Sequence, residues 1–266
     1  MSILERTSWT DRSVDLLIHD IIEYDMRDGG LSIIKEDKLL PPNLIEKFSK
    51  MEKGIKRNAA IGKLRYKKEY ADIPAKQNAA FTKYRLLFGE FNELEDEDVL
   101  SIKKDAIFSK KYCYHLKIGQ YIEFAEKHIY QAYLYIKVQD PKGTKNLEFY
   151  WSENGRLDVK GIDDKILDKY HRDYILKVIW RVLRYMVNFD KKGAIEYLVN
   201  FMDDYKMRRL PMEYYRTFND DSIYPINFEG RQMVWTDVGK DQIRDIDISY
   251  NYIHIFTAIL RVIASN

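Results

Sequence analysis

The feature that most constrains the fold is a change of hydrophobic period near residue 161. Over 112–160, short stretches such as YQAYLYIKV and NLEFYW alternate in the period-two manner of strands. Asp140-Pro141 and Asn154-Gly155 punctuate them, which predicts antiparallel strands joined by turns. Beyond Lys160-Gly161, residues Ile175, Val178, Ile179, Val182, Leu183 and Met186 share one broad helical face, predicting a helix over 164–189. Further helices are expected over 192–207 and 248–264, with a loop-rich stretch carrying Pro211 and Pro225 between them. The sequence therefore reads as α+β, with one region over 1–161 and a mainly helical one over 162–266.

The first region carries its own pattern. Residues 14–24, VDLLIHDIIEY, read as a strand that enters a turn at Asp28-Gly29-Gly30. The apolar pattern resumes in LSIIKEDKLL and stops at Pro41-Pro42. Residues 44–70 have helical spacing and many basic side chains, Pro74 is expected to break them, and 76–91 read as a second helix. An acidic turn over 92–98 leads into VLSIKKDAIFS, a strand–turn–strand whose polar centre is Lys103-Lys104-Asp105.

Composition narrows the chemistry. The 44 basic and 42 acidic residues nearly cancel, so affinity for nucleic acid must come from a local patch. A lone Cys113 excludes an internal disulfide and fits a reducing compartment, giving an expectation of a cytoplasmic protein, in the host cytoplasm if viral. No secretory pattern opens the sequence, and no apolar run approaches the ~20 residues of a membrane helix, so no membrane partner is expected. The 21 tyrosines are read as amphipathic core edges rather than stacking surfaces. Five scattered histidines give no zinc spacing, and there is no phosphate-binding Gly loop or nucleophile elbow. Carboxylates and metal ions are the chemistry that remains.

Asp25 ends an apolar strand and Asp105 sits at the tip of a strand–turn–strand. If those strands are neighbours, the two acids converge and can hold Mg²⁺ or Mn²⁺, hard ions that take oxygen ligands. By spacing alone, acids in turns more often just solvate a bend.

The local sequences add to this. Asp25-Met26-Arg27-Asp28-Gly29-Gly30-Leu31-Ser32-Ile33-Ile34 resembles the first palm motif of family-B DNA polymerases, with Asp, Ser and two Ile in register. Lys103-Lys104-Asp105-Ala106-Ile107-Phe108 resembles the second catalytic motif of that family, with Lys103 in place of its first acid. Asn58 and Gly62 match the fingers motif, although Gly54 stands where its lysine belongs, flanked by Lys53 and Lys56. Thr82-Lys83-Tyr84-Arg85 and Lys160-Gly161 resemble two further segments, in the right order. The Tyr-Pro of the first motif is Gly30-Leu31 here, and no exonuclease domain fits ahead of Asp25.

The resemblance implies a reduced relative, of a kind that a phage or mobile element encodes. It implies an antiparallel palm-like sheet with flanking helices, a fingers-like helical insertion over about 44–91 and a thumb-like helical end. It assigns Asp25 and Asp105 as catalytic metal ligands. It puts Lys53, Lys56, Arg57, Lys63 and Arg85 toward a nucleoside triphosphate, and Arg65, Lys68 and Lys160 toward a primer–template. The implied activity is metal-dependent nucleotidyl transfer in DNA replication. Two alternatives stay open: a polymerase-derived nucleic-acid-binding or accessory protein without catalysis, and an unrelated α/β interaction protein.

Overall fold

A computed structural model describes residues 2–140, 143–161, 172–207, 209–210, 217–219, 222–224, 226–228, 231–233 and 253–266. Pro211 and Pro225, and residues 164–171 and 248–252 where helix was expected, lie outside the described residues, whereas the stretch expected to be loop-rich holds four short strands, Thr217–Asn219 paired antiparallel with Ser222–Tyr224 and Ile226–Phe228 with Arg231–Met233. The architecture is α+β with antiparallel strands and flanking helices, as expected. The chain forms two compact units, Met1–Arg12 with Asp20–Ile129, and Ser13–His19 with Tyr130–Asn266. The period change near residue 161 lies inside the second.

In the first unit, β1 (Ser8–Thr10), β2 (Leu16–Met26, entering from the second unit), β3 (Val99–Lys103) and β4 (Ala106–Ser109) pair antiparallel in the order β1-β3-β4-β2. Alternation on β2 sends Ile22, Tyr24 and Met26 into one core. There they meet Ala80, Phe81, Tyr84 and Phe88 of the long helix Ile73–Phe91. The expected strand–turn–strand is present, with Lys104 and Asp105 as its two-residue turn and Lys104 at φ 58°.

Three expectations in this unit need correction. Gly29-Gly30 does not make a turn but opens α1 (Gly29–Glu36), with Asp28 at φ 52° before it. Ile33 faces the strand core, whereas Leu31 and Ile34 face a second cluster with Phe48, Ile61, Leu64 and Ile73, so α1 is apolar on two sides. The single basic helix over 44–70 is instead α2 (Pro42–Ser49), α3 (Ile55–Gly62) and two short 3-10 turns, interrupted at Gly54 with φ 147°. Pro74 does not break a helix. It occupies the first turn of α4 (Ile73–Phe91), where its missing N–H has no helical partner to lose.

In the second unit, β5 (Phe124–Asp140, leaving the first unit), β6 (Gly143–Trp151) and β7 (Leu157–Lys160) pair antiparallel. Ala132, Leu134, Ile136, Phe149 and Trp151 pack on α5 (Arg172–Val187), α6 (Lys191–Lys206) and α7 (Ile253–Ser265). Tyr130, Tyr133, Tyr135 and Tyr150 are buried on the strands, and the Tyr150 hydroxyl donates to Glu148 at 2.7 Å. Other tyrosines, Tyr66, Tyr112, Tyr114 and Tyr121 among them, are exposed. Gly161 follows β7 at φ 94°, where a Cβ would come within 1.9 Å of the Asn146 carbonyl oxygen. Among the described residues, no helix is long and apolar enough to cross a membrane.

Candidate functional site

Antiparallel pairing brings the two acids together. Asp25 on β2 lies opposite Ala106 on β4, the residue next to Asp105. The Met26 N–H also donates to the Asp105 carbonyl at 3.3 Å. Both side chains line a cleft of about 800 Å³ within the first unit. Gly29, Gly30, Lys53, Asn58, Gln77, Phe81, Lys104 and Lys127 line it too.

The way β2 gives onto α1 shapes one wall. The Ser32 hydroxyl donates to the Arg27 carbonyl at 2.8 Å and holds the bend. Asp28 precedes the helix but does not cap it, because its carboxylate is paired with Arg57. The Asp28 side chain therefore leaves the Gly29 and Gly30 amides uncapped. A Cβ at Gly29 would come 2.9 Å from Phe81 and 3.3 Å from Asp105 Oδ2. Glycine lets the helix approach that carboxylate closely.

The electrostatics differ between the two acids. Burial pushes the Asp105 carboxyl above the usual carboxylate range, and the charge of Asp25 pushes it further. Asp25 instead has a cation in contact: Lys127 Nζ donates to it at 3.0 Å and to Glu23 at 3.2 Å. Glu23 and Asp25 are two residues apart on one strand, so they share a face and one ammonium reaches both. Burial works against the charge on Lys127, but the hydrogen bond to Asp25 and the charge of Glu23 outweigh it and raise its pKa.

Of the basic residues expected to contact nucleotide, Lys53 lines the cleft; Lys56, Arg57, Lys63 and Arg85 do not. Lys56 and Lys63 are exposed, on α3 and the turn after it. Arg57 is 4% exposed because it is an internal partner for Asp28, and its Nε has no hydrogen-bond partner among the described residues. Arg85 neither points into the cleft nor pairs with Glu90. It is fully buried and donates to the carbonyls of Leu4 at 3.3 Å, Arg6 at 2.7 Å and Lys104, and to the Thr82 hydroxyl at 3.1 Å. Burial draws its pKa down to about 10. Arg85 thus clamps from within the turn that presents Asp105. Arg65 stacks on Tyr66 and Lys68 is exposed. Lys160 lies on β7 of the second unit, opposite Glu148.

Sequence reasoning missed Glu23 and Lys127. The acid–x–acid spacing of Glu23 and Asp25 on a strand was the available signal for the first. Nothing local marks Lys127, which lies 102 positions from Asp25. Lys103, which replaces the first acid of the second motif, turns to Thr10, with Nζ 2.8 Å from its hydroxyl.

No curated protein matches the chain. A family model described as Bacteriophage PBS1 gene 130 protein matches residues 1–264, in keeping with the phage origin expected from the sequence, and the chain belongs to that family.

Proposed function

We propose that the cleft is the site of a divalent-cation-dependent nucleotidyltransferase that extends a nucleic-acid primer from nucleoside triphosphates. One observation carries this: Asp25 and Asp105 come from adjacent antiparallel strands and line one cleft, where burial and then the charge of Asp25 raise the pKa of Asp105. Two such carboxylates are hard oxygen donors that Mg²⁺ or Mn²⁺ fits, and a cation relieves the repulsion that burial amplifies. When bound, the ion supplies charge neutralisation at phosphate and a lowered pKa for an attacking hydroxyl. The chain's own residues do the rest. Lys53 and Lys104 bring positive charge to the triphosphate side. The uncapped amides of Gly29 and Gly30 favour anionic oxygens. Phe81 walls the cleft, and Arg85 fixes the Asp105 turn.

A second reading is binding of primer–template without catalysis. It is favoured by Lys103, which stands in place of an acid and is directed to Thr10. Primer extension with Mg²⁺ or Mn²⁺ separates the readings, comparing wild type with Asp25→Ala and Asp105→Ala. Extension that both substitutions abolish is the expected result. Primer–template binding without extension would select the second reading, and absence of both activities would overturn each.

A further inference from the structure

We infer that Lys127 is a built-in cation of the carboxylate site, so that the cleft takes one divalent ion where two acids of this kind can take two. The inference rests on the metal reading of the cleft. The Lys127 ammonium lies 3.0 Å from Asp25 Oδ2 and 3.2 Å from Glu23 Oε1, which is where a bridging cation would lie. Glu23 has a side chain only 4% exposed, so its charge has little help from water and holds the ammonium in place. Asp105 is the opposite case. Among the described residues no ammonium or guanidinium lies within ion-pair distance of its carboxylate, and Lys104 directs its ammonium over the Phe81 ring at 5.2 Å.

Lys127 occupies Asp25 Oδ2 and Glu23 Oε1, the oxygens that a second ion beside Asp25 would take. An ion at Asp105 can still use Asp25, because Lys127 contacts only Oδ2 of that carboxylate. Lys127 therefore sets metal stoichiometry and keeps a second ion out by occupying its ligands and repelling it.

Mn²⁺ binding to the full chain tests this, with free ion counted by electron paramagnetic resonance and binding followed by calorimetry. Wild type is expected to hold one ion and Asp105→Asn none, which separates the cleft from adventitious surface sites. Lys127→Gln is expected to hold two, the first about tenfold tighter than in wild type because the repelling charge is gone. Lys127→Met removes the charge while keeping the apolar stem and serves if the Gln variant does not fold. Lys127→Arg keeps the charge and should remain at one. Two ions in wild type, or an unchanged count in both neutral variants, overturns the role of Lys127 and leaves the metal reading standing. No Asp105-dependent ion in any variant overturns both.

Discussion

Arg57 and Arg85 lie in the interior of the first unit at 4% and 0% exposure, whereas the helical side of the second unit is filled by Ile175, Val178, Ile179, Leu198, Phe256 and Ile259. The second unit gains stability without direction: each apolar group is content with any close neighbour. The first unit accepts the cost of removing two guanidinium groups from water and obtains fixed directions in return. Arg57 holds Asp28 away from the end of α1, and Arg85 holds the Asp105 turn. Buried ions are weak evidence for stability; here their hydrogen bonds fix the direction of the groups they hold. The same contrast separates Asp25, which Lys127 contacts at 3.0 Å, from Asp105, whose pKa burial raises.

The contrast can be broken at several points. Phe256→Ala in the second unit should cost about 3–5 kcal/mol, read from denaturant melts, because it opens a cavity in a dry core. It should leave Mn²⁺ binding by the folded protein unchanged. Arg85→Met keeps bulk but strands the carbonyls of Leu4, Arg6 and Lys104, for about 3 kcal/mol. Unlike Phe256→Ala, it should also weaken Mn²⁺ binding, because the Asp105 turn loses its clamp. Gly29→Ala should cost about 1–2 kcal/mol despite alanine's better helix propensity, since Phe81 must move, and the loss should be relieved by Phe81→Leu.

The smallest effect concerns pH. The folded pKa of Asp105 is raised above its unfolded value, so the native state holds the proton more tightly. Its contribution to stability is fully present below the unfolded pKa and is lost as pH rises through the folded one. Asp105→Asn should therefore raise the melting temperature at neutral pH and flatten the decline in stability above the ordinary carboxylate range. A melting temperature lowered by this substitution at neutral pH would contradict the burial and repulsion described for the site.

The hairpin at 99–109 was legible because its apolar flanks and polar centre state both the strands and the turn. The convergence of Asp25 with Asp105 was legible only as a condition, that the two strands be neighbours, and the pairing of β2 with β4 meets it. The helix α1 was not legible, because Leu31, Ile33 and Ile34 serve two clusters and their spacing does not resolve into one face. Arg57 and Arg85 read as contacts to a nucleoside triphosphate, because a basic side chain in sequence does not show whether its partner is a ligand or the chain itself. The carbonyls and carboxylate that receive these groups become neighbours only when the chain closes. Lys127 was invisible for the same reason, its partners being on a strand far away in sequence.

The reach of Arg85 to Leu4 and Arg6 has a practical corollary. Residues 3–6 are half of the socket that holds the guanidinium, so the amino-terminal stretch is part of the scaffold behind the cleft rather than a free handle. A substitution that displaces the Leu4 or Arg6 carbonyl would loosen, through Arg85, the turn at Lys104 and Asp105.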